Sequence, residues 1–140
     1  MLLNLVVLRA NDVDRLGRFY EALGLTFERE RHGAGPEHLA CSAGGSIFEI
    51  YPCRGASSTV GVRIGFSVDQ VARRYETAIA NGAVSVLSPQ RGLWGERAVV
   101  RDPEGHTVEF LRAPTAQDPI MKWKHGWKHG GGNTGTLYRI

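Results

Sequence analysis

Apolar residues run almost unbroken from Leu2 to Leu8, the pattern of a buried strand, and then change their spacing. Val13, Leu16, Phe19, Tyr20 and Leu23 fall at the three-to-four-residue interval of one helix face. Asn11 and Asp12 offer capping oxygens ahead of that helix, Asp14 adds negative charge to its first turn, and Gly24 ends it. Thr26 to Arg31 reads as a second strand and Gly33-Ala-Gly35-Pro36 as a loop. His38 to Ser42 and Ser46 to Tyr51 then form a hairpin about Ala43-Gly44-Gly45.

The same order repeats in the second half. Val60 to Val68 is a strand, Asp69 caps a helix through Val71, Tyr75, Ala78 and Ile79, and Asn81-Gly82 stops it. Val84 to Leu87 follows, then a loop rich in Gly and Pro. Ala98 to Arg101 and Thr107 to Leu111 close the unit, joined by Asp102-Pro-Glu-Gly105, a type I turn in which Pro presets φ at the second position. The repeat predicts an α+β fold: two βαβββ modules, about 1–55 and 56–112, forming a curled mixed sheet around a cleft.

Alternation along the strands sorts the chemistry onto one face. Phe48 and Ile50 oppose Ile47, Glu49 and Tyr51; Val62, Ile64, Phe66 and Val68 oppose Arg63, Gly65 and Ser67; Val108 and Phe110 oppose Thr107, Glu109 and Leu111. Glu49 and Glu109 hold matching places, each mid-way along its module's final strand between large apolar residues. A carboxylate so placed is costly to bury unless a cation, a metal or water compensates it. Two such carboxylates, with Arg63 on a cleft-like face, point to a shared polar cavity.

Charge localises rather than classifies. The chain of 140 residues has a formal charge of +3, yet residues 1–112 hold thirteen arginines against thirteen acids. Lys122, Lys124, Lys128 and Arg139 stand in the last 28 residues against Asp118 alone. The basic excess therefore belongs to an arm, 113–140, and gives no reason to expect nucleic acid as a partner of the domain, 1–112. Two cysteines make no disulfide framework, and Cys41 and Cys53 read as free thiols. The N-terminal apolar run reads as a first strand rather than an export signal, and no stretch approaches the roughly 20 apolar residues of a membrane span. A cytoplasmic protein with no membrane partner is the expectation.

Three segments carry a family resemblance: Asn11-Asp-Val-Asp-Arg-Leu-Gly-Arg-Phe-Tyr-Glu-Ala-Leu-Gly24, Phe48-Glu-Ile-Tyr-Pro52 and Asp102-Pro-Glu-Gly-His-Thr-Val-Glu-Phe110. In this order, on a repeated βαβββ pattern, the chain resembles the vicinal oxygen chelate superfamily of glyoxalase I, bleomycin-resistance proteins, fosfomycin-resistance thiol transferases and extradiol dioxygenases. It looks most like the bleomycin-resistance branch. The resemblance implies a cleft often completed by dimerisation, and in metal-dependent members a divalent ion held at positions that correspond here to Leu5, Glu49, Arg63 and Glu109. Leucine has no donor atom and a protonated guanidinium repels a cation, so no metal ligand and no cofactor is assigned, and Arg63 is expected to take the ion's place by bridging Glu49 and Glu109.

The expected site therefore comprises Leu5, Glu49, Tyr51, Arg63, Ser67, Trp94 and Glu109 as ligand-binding residues, with Glu49 and Glu109 as candidate catalytic bases. Trp94, among glycines on the loop Gln90 to Arg97, either stacks on a planar or sugar-like ligand or packs on a partner. His32, His38 and His106 have no partner by spacing and read as surface residues. The arm carries a tandem Trp-Lys-His-Gly unit over 123–130, with His125 and His129 four apart. Gly126 and the Gly130–Gly132 run argue against a helix that would aim both imidazoles at one ion. The expected partner is a small molecule, bound by a homodimer with the arm at its interface. The expected activity is binding rather than turnover, with a lyase, isomerase or dioxygenase-like enzyme as the alternative.

Overall fold

The computed structural model describes residues 1–55 and 57–118. The chain runs β1 (Leu5–Ala10), α1 (Val13–Ala22), β2 (Glu28–Glu30), β3 (His38–Ala43), β4 (Ser46–Pro52), β5 (Arg63–Ser67), α2 (Val71–Ala80), β6 (Val84–Gly92), β7 (Gly95–Arg101) and β8 (Thr107–Arg112). The strands form two four-stranded sheets, ordered β1-β4-β3-β2 and β5-β8-β7-β6. In each, the first strand pairs parallel to the last and the remaining pairs are antiparallel. The βαβββ repeat is thus present, as two mixed sheets that do not close on each other rather than one curled sheet.

Each helix lies on the apolar face of its own sheet, α1 against β1, β3 and β4 and α2 against β6, β7 and β8. Tyr20 sits where the two layers meet. Its ring packs edge-on to Phe19 and Phe48, with centroids 5.0 and 5.1 Å away, and lies 6.1 Å from Phe66 of the second module. Leu8, Leu16, Phe48, Ile50, Val71, Val100, Val108 and Phe110 are buried in the same cluster. Each fully buried side chain of this size stabilises the fold by about 1.5–3 kcal/mol. One core therefore serves both modules, and the opposite face of each sheet is left for other work.

Several local expectations change. Asp12 does cap α1, its Oδ1 accepting from the Arg15 N–H at 3.0 Å, but α2 starts after Gln70 with no side-chain cap, and Asp69 does not serve. The strand predicted from Val60 begins at Arg63, because Thr59 and Val62 close a turn (Val62 N–H to Thr59 C=O, 2.9 Å). The strand predicted over Thr26–Arg31 is confined to Glu28–Glu30. Most consequential for the site, Ser88–Gly92 is not a loop but the continuation of β6, which turns tightly at Leu93-Trp94 into β7. Register shifts between Ser85 and Leu87 and between Leu87 and Gln90 accommodate Pro89, which an edge strand tolerates. After β8 the chain is fastened by Asp118, which accepts from the Thr115 N–H and hydroxyl and faces Arg112 at 3.4 Å. The expectations for the rest of the arm, including His125 and His129, fall outside the described residues.

Candidate functional site

On the first sheet the strand register brings Leu5, Val7 and Arg9 of β1, Ile47, Glu49 and Tyr51 of β4, His38, Ala40 and Ser42 of β3, and Glu28 and Glu30 of β2 to the face away from α1. A cleft of about 580 Å³ opens on it, lined by Leu25, Thr26, Glu28, Glu30, Ser42, Ile47 and Glu49 among others. Glu49 is largely covered, its side chain 13% exposed. The ring of His38 stacks on Tyr51 at 4.1 Å and 11°, and the Arg9 guanidinium lies 5.8 Å from the centre of that phenol ring. Burial first, and then the charges of Glu49 and Glu30, raise the Tyr51 hydroxyl above its ordinary value.

On the second sheet the equivalent face carries Arg63, Gly65 and Ser67 of β5, Glu109 of β8 and Arg97 of β7. Glu109 is 3% exposed and lies 3.5 Å from Arg63 and 3.9 Å from Arg97. Arg97 also reaches back under the hairpin turn, its guanidinium 5.5 Å from the Trp94 ring. Trp94 is about half exposed and rests against Gly92, where a Cβ would meet the indole at 2.6 Å. A carboxylate between two guanidiniums, with an indole at the rim, presents cationic hydrogen-bond donors and a flat apolar surface together.

Within the chain Arg63 meets one of the two carboxylates. Among the described residues Arg63 pairs with Glu109, whereas Glu49, on the other sheet, has His38 as its neighbour at 3.9 Å. Arg97, from a segment predicted to be a loop, supplies the second cation to Glu109. Leu5 is 46% exposed at the sheet edge opposite Ile47. Ser67 lies four residues along β5 from Arg63 and lines a separate cavity of about 240 Å³ with Tyr20, Leu25 and Phe66. The structure thus divides the predicted residues into two half-sites, Leu5, Glu49 and Tyr51 on one sheet and Arg63, Trp94 and Glu109 on the other.

Two of the three histidines read as surface residues are buried, His38 at 1% and His106 at 0% exposure, while His32 is exposed. His106 donates from Nδ1 to Asp102 at 2.9 Å, and its Nε2 lies 2.7 Å from the Thr59 hydroxyl. Asp102 further accepts from the backbone N–H groups of Glu104 and His106 and from the Tyr20 hydroxyl. Carboxylate, imidazole and hydroxyl occur here in the order of a nucleophilic triad, but Thr59 is occupied by the Arg9 backbone and His106 has no exposed surface. The network is a structural hub. The four-residue spacing of Asp102 and His106 across a Pro-Glu-Gly turn was the available signal for it.

The model of the Glyoxalase/Bleomycin resistance protein/Dioxygenase superfamily matches residues 2–110. The chain belongs to that superfamily. No curated protein matches it. Among solved structures, a glyoxalase/bleomycin resistance protein/dioxygenase family enzyme from Burkholderia phytofirmans PsJN superposes with a TM-score of 0.67 at 20% identity, covering 81% of this chain and 100% of that one. TnmS3, an antibiotic binding protein from Streptomyces sp. CB03234, gives 0.67 at 17% identity, with 81% and 97% covered. TioX from Micromonospora sp. ML1 gives 0.62 at 26% identity, with 81% and 100% covered.

At the superfamily's metal positions the residues present do not fit an ion. Leu5 offers no donor, and Arg63 already places a cation against Glu109.

Proposed function

We propose that this glyoxalase/bleomycin-resistance-like protein binds a small organic molecule against the exposed sheet faces, without an ion at the four superfamily metal positions. The observation that carries the reading is the cleft of about 580 Å³ on the first sheet, a volume suited to a drug-sized molecule. Its lining combines apolar Leu25 and Ile47 with three acids, Glu28, Glu30 and Glu49. Such a wall favours a neutral or cationic, partly aromatic ligand. The arginine pair and Trp94 of the second sheet would grip an anionic or planar part. Structural neighbours include a named antibiotic binding protein, which supports the bleomycin-resistance branch.

A homodimer completes the site in this reading, the first-sheet face of one protomer meeting the second-sheet face of the other and the arm lying at the interface. Exposed Leu5 and Ile47, at 46% and 42%, support contact there. Free Cys41 and Cys53 suit a cytoplasmic setting, and the even charge of residues 1–112 suits a small-molecule rather than a nucleic-acid partner. Among the described residues no helix is long and apolar enough to cross a membrane.

A second reading, a lyase, isomerase or dioxygenase-like enzyme, falls to Glu49 as general base, because Glu49 lines the cleft whereas Glu109 is held between arginines. Titration with a panel of aromatic antibiotics beginning with bleomycin, followed by tryptophan fluorescence with Trp94→Phe as control, tests the first reading. Saturable, Trp94-dependent quenching without turnover of a hemithioacetal or a catechol supports it. Turnover abolished by Glu49→Gln favours the second.

A further inference from the structure

Glu30, His32, His38 and Glu49 each offer one ligand atom, and all four atoms lie within 4.8 Å of one another. From these side chains we infer a divalent transition-metal site of the zinc class, built from β2, β3, β4 and the loop after β2, on the cleft wall. It shares only Glu49 with the superfamily positions considered above. Glu30 and Glu49 also line the cleft proposed for the organic ligand, so an ion there would neutralise part of that wall, but its binding needs no organic molecule and is tested with the metal alone.

The decisive residue is His38. Its Nδ1 lies 3.2 Å from the Pro36 carbonyl, which can only accept, so Nδ1 carries a hydrogen and Nε2 is the free ring position. That Nε2 is buried, finds no hydrogen-bond partner among the described residues, and faces carboxylate oxygens of Glu30 at 3.6 Å and Glu49 at 3.9 Å. These separations are too long for hydrogen bonds. They are close to the roughly 3.3 Å that separates ligands around a tetrahedral ion with bonds of about 2.0–2.1 Å. A buried nitrogen without a partner and two carboxylates converging on it are costly alone, and one cation satisfies all three.

The surroundings hold the ligand as metal sites do. The Pro36 carbonyl fixes the imidazole tautomer and the Tyr51 ring, stacked at 4.1 Å, fixes its plane. His32 stands at the open rim, its Nε2 3.6 Å from the same Glu30 oxygen, its side chain 72% exposed and its ring 5.1 Å from that of His38. Two imidazoles and two carboxylates form a borderline donor set that suits Zn²⁺ above Ca²⁺ or Mg²⁺.

The test is a titration of the full chain with CoCl2 after dialysis against EDTA, read by the visible ligand-field band of tetrahedral Co²⁺ and by displacement with ZnCl2. A band saturating near one equivalent is expected, retained in His125→Ala/His129→Ala and abolished by His38→Ala. Glu30→Gln and His32→Ala, both at partly or fully exposed positions and checked for fold by circular dichroism, should each weaken Co²⁺ by about tenfold or more. Absence of a saturable band overturns the site. So does a band that survives Glu30→Gln and His32→Ala unchanged, or one that vanishes in the arm variant.

Discussion

The Tyr20 hydroxyl donates to Asp102 Oδ2 at 2.7 Å, joining two residues 82 positions apart. The contact ties the C-terminal turn of α1 to the turn between β7 and β8. Glu104 of that turn also accepts the Asp12 N–H at 2.8 Å, placing negative charge at the α1 N-terminus. The two modules are thereby locked by polar contacts beside their common core. Tyr20→Phe keeps the ring and removes the hydrogen bond, and should cost about 1–3 kcal/mol in urea unfolding at pH 7.

The same pair sets an alkaline limit. Burial, then the Asp102 charge and the hydrogen bond to it, raise Tyr20 well above 10.0. A group raised in the folded state contributes fully below its unfolded value, so this contribution is intact at neutral pH and is lost as pH climbs past about 10. Unfolding free energies measured from pH 8 to 11 should fall more steeply above pH 10 for the parent protein than for Tyr20→Phe.

Arg63 and Arg97 share one buried carboxylate. Arg63 is 51% exposed, so Arg63→Ala alone should cost no more than about 1 kcal/mol, the scale of a solvent-screened pair. Arg97, 23% exposed and stacked near Trp94, should cost more. Removing both cations should exceed the sum of the singles by at least about 0.5 kcal/mol in a double-mutant cycle from chemical denaturation.

Gly95 opens β7 at φ +102°, and a Cβ there would stand 2.0 Å from the Arg112 carbonyl oxygen. Gly95→Ala adds backbone strain of about 1–3 kcal/mol to a clash with backbone that cannot rotate away. A clear drop in thermal midpoint and a displaced Trp94, seen as a shifted emission maximum, are expected.

Asp118 is lowered to about 2 by the Thr115 backbone N–H, the Arg112 side chain and the Thr115 hydroxyl, in that order. A lowered carboxylate contributes above its unfolded value and loses the contribution as pH falls through the folded one. The Arg112–Asp118 fastening should thus persist through mild acid and release near pH 2, with the Asp118 carboxyl titrating there in NMR.

The modules, both helices and the polar sheet faces were legible in the sequence because they rest on local periodicity and strand alternation. The Glu109 pairing with Arg63 was legible for the same reason, since register follows from alternation once the strands are placed. What escaped depends on contacts between distant segments. Pro89 and the neighbouring glycine concealed the extension of β6, and with it the position of Arg97 beside Glu109. His38 and His106 were misread because their burial comes from packing between distant segments: Tyr51 stacking for His38, which has no spacing signature, and the Asp102 hub for His106, whose one trace in the sequence is the four-residue spacing. Within the chain Arg63 reaches Glu109 while Glu49 lies on the other sheet, a separation that strand alternation alone does not reveal.

A crystal structure with a bound aromatic antibiotic would test the central reading most directly. The account predicts ligand density between a first-sheet and a second-sheet face, in contact with Glu49, Tyr51, Arg63 and Trp94. Density confined to another surface, or an ion bridging Glu49 and Glu109 in the place of Arg63, would contradict it.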